Sequence, residues 1–329
     1  MVAQLALSFI AISALPTAPA SAPDAMHLHG LRLGEDAVKS GDNLMYLHLL
    51  KDTANTGAVC LDGTPGGFYF SPATDPAHKD DWQIYFQGGG WCYDEVDCWS
   101  RSFTELGSSY AWSPTGSMGG MLSSDCDKNP DFCSFNRVWM VYCDGNSFSG
   151  NRDAPVLVKG LDGGVKPLYF RGRRIIDETL KYLTAEFNLG SAKKVLLTGC
   201  SAGGLAVYLH TDYVHSRLRS LAPGMTKFKA ASISGFFLQH ANLDGKPVYP
   251  TQMESIFRLA NSTHGLNEAC IRAQPAGKEW QCNFAEHSYA HTTSDIFPLN
   301  SALDSWQAKC IFFSKLAPCS PKEILLYHS

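Results

Sequence analysis

Val195-Leu196-Leu197-Thr198-Gly199-Cys200-Ser201-Ala202-Gly203-Gly204-Leu205-Ala206-Val207-Tyr208-Leu209 is the stretch that decides the fold. An apolar, β-branched run reaches a turn of small residues centred on a serine, and an apolar run of helical length follows. This is the sequence form of a strand–turn–helix elbow that exposes a nucleophile. The bend demands glycine on both sides, because larger side chains would collide with the neighbouring strand and helix. Gly199 and Gly203 meet that demand and make Ser201 the candidate nucleophile. Leu205, Leu209 and Val214 suit the packing face of a helix starting near Ala202, whose positive end would face the serine. Cys200 is the rival nucleophile, but the residue before an elbow serine points away from the pocket, so it reads as a buried free thiol.

The totals bound what surrounds this element. A chain of 329 residues with 45% hydrophobic and 18% charged residues buries one large core, as a single α/β domain. A net charge of −4 without a long basic run gives no footprint for nucleic acid or for an anionic membrane surface. Residues 1–22 carry the apolar run Leu5 to Ile12 and then small residues, which reads as a secretory signal peptide too short to span a bilayer. No Lys or Arg precedes that run, a departure from the usual pattern. Residues 23–329 form the domain.

Eleven cysteines in a secreted chain favour disulfides over metal, and none shows zinc-finger spacing with histidines nearby. An odd count fits five bridges and a free Cys200. Cys92 with Cys98, Cys126 with Cys133, and Cys270 with Cys282 are close in sequence; Cys310 and Cys319 are further candidates. Asn261-Ser262-Thr263 is a glycosylation sequon if the chain is secreted. No cofactor is expected.

Taken in order, Leu44 to Leu50 and Gly57 to Phe70 alternate apolar runs with glycine and proline turns, the pattern of an antiparallel sheet edge. The strand Trp82 to Phe86 runs directly into Gln87-Gly88-Gly89-Gly90-Trp91-Cys92. Three glycines after a strand leave backbone N–H groups uncovered, as an oxyanion hole requires. With the residue after the nucleophile, the candidate donors are Gly90, Trp91 and Ala202. Arg137 to Tyr142 is another strand, followed by Asp144, an acid that competes for a catalytic part. A helix over 172–187, with Ile176, Leu180, Leu183 and Phe187 on one face, leads into the elbow strand and makes a β-α-β unit, hence a mostly parallel sheet. Phe228 to Ile233 is the next strand. The polar and aromatic stretch 244–290 suits a cap or insert.

Ile296 to Asp304 reads as a late strand ending in an acid. Triads on this fold run nucleophile, acid, histidine along the chain, so Asp304 takes precedence over Asp144. By the same order a base must follow Asp304, where His328 is the single histidine. Ser320-Pro321-Lys322-Glu323 has the form of a capped helix start, so Ile324 to Ser329 are its opening turns. His328 there reads first as a surface or packing residue and second as the base. The order disfavours His210, His215, His240, His264, His287 and His291, and the base is expected beyond residue 329.

The motifs resemble one family, the pectin acetylesterases of plants, whose animal relative is the Wnt deacylase Notum. The resemblance rests on Gly57 to Gly66, Gly88-Gly89-Gly90-Trp91-Cys92, Asn129 to Phe132, Asn136-Arg137-Val138 and Tyr142 to Gly150. It continues through Leu168 to Gly172, Gly199 to Ala206, and Leu299 to Asp304. It implies an α/β-hydrolase-like fold, an extracellular location, and release of acetate from the acetylated homogalacturonan of cell walls. It likewise implies Ser201 as nucleophile, Asp304 as acid, Gly90, Trp91 and Ala202 as oxyanion donors, and a disulfide from Cys60 to Cys143. Two other readings stay open: a Notum-like lipid deacylase, and a secreted carbohydrate-binding relative without activity, which the missing histidine motivates.

Overall fold

The computed structural model describes residues 43–160 and 163–313. The signal-peptide segment, Cys319 and His328 lie outside these residues. Ten strands are present among the described residues: β1 Leu44–Leu49, β2 Gly67–Ser71, β3 Asp81–Phe86, β4 Thr115–Ser117, β5 Asn136–Met140, β6 Val156–Lys159, β7 Val165–Leu168, β8 Lys194–Cys200, β9 Lys227–Ile233 and β10 Ile296–Leu299. Eight of them form one sheet in the order β10-β9-β8-β3-β5-β2-β1-β4. The run from β10 to β5 is parallel. The edge from β2 to β4 is antiparallel, as the short runs of the first seventy residues predict. β6 and β7 form a separate hairpin.

The parallel register follows from burial. Val195 and Leu197 of β8 stand beside Trp82 and Ile84 of β3 and beside Phe228 and Ala230 of β9, so one face of three strands presents a continuous apolar surface. Helix Gly172–Phe187 lays Ile176, Leu180 and Leu183 into this core, and helix Ala202–Leu221 adds Leu205, Leu209 and Val214. Both helices begin where the sequence places them. Burying each such side chain contributes about 1.5–3 kcal/mol, which is what holds the elbow helix across β8 and β9. A smaller cluster of Met45, Tyr69, Leu122 and Val141 forms the opposite face near the antiparallel edge.

Residues 244–290 are helical, with Val248–Leu259, Glu268–Ala273 and Ala285–Tyr289 as the α segments. Tyr249, Met253, Ile256, Trp280 and Phe284 belong to the main core, and the Cys270–Cys282 disulfide joins two of the turns. Cys60–Cys143, Cys92–Cys98 and Cys126–Cys133 are also bridged. Cys310 is disulfide-bonded, and Cys200 is free.

Candidate active site

Ser201 sits between the last residue of β8 and the first of helix Ala202–Leu221 at φ 58° and ψ −128°, a backbone conformation that costs a non-glycine residue about 1–3 kcal/mol. The surroundings impose it. The Ser201 N–H donates to the Ile233 carbonyl at 3.0 Å, and Leu205 N–H donates to the Ser201 carbonyl at 2.9 Å, so the serine is pinned to the next strand and to its own helix. A methyl group at Gly203 would overlap the Phe86 carbonyl oxygen, and one at Gly199 would overlap the Gly203 carbonyl. The two flanking glycines therefore serve close approach of backbone, as the sequence implies.

The glycine triplet lies against this bend. A Cβ at Gly88 would stand 3.1 Å from the Ser201 Cβ, while a Cβ at Gly90 would meet nothing within 4 Å. Gly90, at φ +64° and two residues past that contact, turns the loop in open space. Among the described residues the amides of Gly90, Trp91 and Ala202 have no hydrogen-bond acceptor. The first turn of a helix leaves such N–H groups unpaired, which accounts for Ala202. The other two are free because their loop carries no side chain that folds back over them. The Trp91 side chain is buried, and its ring packs on Phe237 at 4.9 Å and on Trp306 at 5.6 Å.

Asp304 follows β10 and caps the short helix Ser305–Gln307, its Oδ1 accepting the Gln307 N–H at 2.8 Å. It also lines a cleft of about 530 Å³ with Phe236, Leu238, Asn300 and Gln307. Its charge reaches the elbow: burial first, and the Asp304 carboxylate as a smaller contribution, push the Cys200 thiol up from its ordinary value. Cys200 is half-buried, not buried as its sequence position suggests. It lies on the sheet face shared with Thr198 and Tyr85, at the last residue of β8.

Asp144 has a different role from the one its position after a strand suggested. It is fully buried, and its carboxylate accepts the N–H groups of Asn146 at 3.4 Å, Phe148 at 2.9 Å and Gly150 at 3.0 Å. Burial pushes its pKa up, and those three backbone donors oppose the shift. The carboxylate folds the 144–150 loop.

The hydrogen-bonded histidines among the described residues have partners other than the serine. His210 is fully buried in the elbow helix, where its Nε2–H donates to the Ser147 carbonyl at 2.8 Å. Burial, then the charge of Arg173, hold it well below the usual histidine range and keep it neutral. His215 bonds Ser294 and His287 bonds Gln239. Among the described residues no histidine hydrogen-bonds Ser201 or Asp304. Asn261 is exposed and left-handed, at φ 50°, with Ser262 of the sequon buried.

Sequence reasoning missed three side chains here: Arg101, whose Nη1 donates to the Gly89 carbonyl at 2.9 Å, Tyr142, whose hydroxyl donates to the Gly90 carbonyl at 2.9 Å, and Ser147. The motif Tyr142 to Gly150 contained the last two, but spacing alone does not show what a hydroxyl reaches.

A mostly parallel sheet with a strained serine between strand and helix, beside a glycine loop with free amides, defines an α/β-hydrolase-like protein. The family described as Pectinacetylesterase matches residues 38–322, and the chain belongs to that family. Pectin acetylesterase 5 of Arabidopsis thaliana is 32% identical over 268 residues, which are 82% of this chain and 59% of that protein. Pectin acetylesterase 4 of the same plant is also 32% identical, over 87% of this chain and 66% of its own length. Human palmitoleoyl-protein carboxylesterase NOTUM is 31% identical over 79% of this chain and 51% of its own. The structure of the Wnt deacylase Notum from Drosophila superposes with a TM-score of 0.71 at 25% identity, covering 86% of this chain and 78% of that one. The chain thus spans less than two thirds of the length of either plant relative.

Proposed function

We propose that this protein is a secreted serine carboxylesterase that removes acetyl groups from acetylated homogalacturonan in the cell wall. The observation that carries the reading is the strained Ser201 in contact, through Gly88, with a glycine loop whose Gly90 and Trp91 amides, like that of Ala202, have no acceptor among the described residues. In the reaction a histidine outside the described residues, oriented by Asp304, takes the proton of the Ser201 hydroxyl. Ser201 Oγ attacks the acetyl carbonyl, and the three amides receive the developing oxyanion. The sugar hydroxyl leaves with the proton, and water then releases acetate from the acetyl-serine. Losing one such donor costs about 10²–10³ in turnover. Four disulfides among the described residues suit an oxidising compartment, and no helix there is long and apolar enough to cross a membrane.

Acetate released from acetylated pectin by the full-length protein tests this reading. Wild type is expected to release acetate and Ser201→Ala to match buffer; equal rates would overturn it. The likeness to Notum in sequence and fold supports a second reading, a lipid deacylase, which requires a deep apolar acyl pocket. Faster hydrolysis of octanoyl than of acetyl esters would select it. A protein that binds pectin and releases no acetate would be the non-catalytic relative.

A further inference from the structure

Two buried hydroxyls behind the glycine loop have partners that fix their direction. Tyr142 Oη accepts the Ser147 N–H at 2.9 Å and donates to the Gly90 carbonyl at 2.9 Å. Ser147 Oγ accepts the Trp91 indole N–H at 2.8 Å and donates to the Ala202 carbonyl at 2.8 Å. In each case one neighbour only donates and the other only accepts, so neither hydroxyl can turn. With the Gly90–Trp91 peptide these bonds close a ring of Gly90, Tyr142, Ser147 and Trp91, and the Ser147 hydroxyl ties Ala202 to it; Gly90, Trp91 and Ala202 are the three residues with free amides.

A planar trans peptide points its carbonyl and its N–H in opposite directions. Tyr142, by holding the Gly90 carbonyl, therefore turns the Trp91 N–H to the other side of the loop. Arg101 does the same for the Gly90 N–H through the Gly89 carbonyl; its guanidinium also lies 4.9 Å from the Tyr142 ring centre. Ser147 ties the loop to the first turn of the elbow helix. Both hydroxyls are fully buried, and Ser147 is itself held at φ 49° in the loop that Asp144 folds. Burial pushes the Tyr142 phenol up, so it stays protonated and able to donate.

We propose that Tyr142 and Ser147 are positioning residues: Tyr142 aims the Trp91 amide through the Gly90 carbonyl, and Ser147 fixes the glycine loop against the first turn of the elbow helix, so that the amides of Gly90, Trp91 and Ala202 converge beside Ser201. The inference rests on the acyl-transfer reading above. Tyr142→Phe and Ser147→Ala each remove one hydroxyl and leave Ser201, Asp304 and the amides in the chain. With a small acetyl ester, each variant is expected to lose about tenfold to a hundredfold in kcat, less than deletion of a donor, with KM within about twofold of wild type. Affinity for a phosphonate or boronate mimic of the tetrahedral intermediate should fall in parallel, a readout that general loosening of the fold would not select. If one variant does not fold, the other tests the same ring at a different bond. Wild-type kcat and mimic affinity in a folded variant would overturn the proposal, as would a rise in KM matching the fall in kcat/KM. Full activity in Ser201→Ala would instead overturn the acyl-transfer reading; an inactive Ser201→Ala beside fully active hydroxyl variants would sink the positioning role alone.

Discussion

The serine side of the candidate site and the acid side are built differently. Ser201 is fixed by backbone on every side: β9 accepts its N–H, glycine contacts leave no room at Gly199 and Gly203, and the glycine loop is braced from behind by buried hydroxyls. Asp304 stands after the four-residue edge strand β10, next to Leu303, which is 91% exposed. What fixes Asp304 is the side-chain cap bond to Gln307 and its own carbonyl accepting the Ala308 N–H at 2.9 Å, with Trp306 against Trp91 close by. The difference teaches where precision resides. The charge-receiving geometry is over-determined by the core, whereas the acid is carried on a surface segment whose neighbours tolerate change.

The sharpest way to break this contrast is at the elbow. Gly203→Ala drives a methyl into the Phe86 carbonyl, and is expected to cost about 3 kcal/mol or more, because close-packed backbone cannot yield. Gly90→Ala has open space and bears only the left-handed backbone penalty of about 1–2 kcal/mol. Thermal and urea unfolding of the two variants should therefore separate widely; equal losses would mean that the elbow is not set by backbone contact.

Next in size is Asp144→Asn, whose amide oxygen can take the place of Oδ1 but whose NH2 group then faces the Gly150 N–H. Leaving buried donors unpaired should lower unfolding free energy by about 1–3 kcal/mol, read from the shift of the denaturation midpoint. A variant as stable as wild type would remove Asp144 as the organiser of the loop that carries Ser147.

A smaller effect links the two sides. Cys200 is titrated by its alkylation rate, which follows the thiolate. Burial and the Asp304 charge both raise its pKa, so at a given pH the thiol should react more slowly than an exposed one. Asp304→Asn removes a negative charge that opposes ionisation and should move the titration toward lower pH. No movement would place the carboxylate too far from the elbow to act there. At the bottom of the scale, Leu303→Ala should change stability by no more than about 0.5 kcal/mol.

These contrasts also show what was legible in the sequence. The strand, bend and helix of 194–221 were readable because a continuous apolar, β-branched run gives way at glycines to an apolar run of helical length, all within one short window. Asp304 stood out by chain order. Short-range disulfides followed from spacing, while Cys60–Cys143, 83 residues apart, came from family resemblance. The brace behind the oxyanion loop was not legible, since Trp91 and Ser147 meet across 56 positions and Ser147 and Ala202 across 55. Ser147 and Phe148 also adopt positive φ without being glycine, a local cost that Asp144 and the surrounding bonds outweigh. No propensity scale contains that term. Asp144 competed with Asp304 on paper because both follow strands; only burial and three backbone donors separate them.

The most direct test is the structure of the full-length protein with a phosphonate bound covalently at Ser201. The account predicts that one phosphonyl oxygen accepts hydrogen bonds from the Gly90, Trp91 and Ala202 amides within about 2.7–3.1 Å, with Tyr142 and Ser147 bonded as described here. A label on another residue, or an oxygen at Ser201 turned to solvent away from those amides, would contradict it.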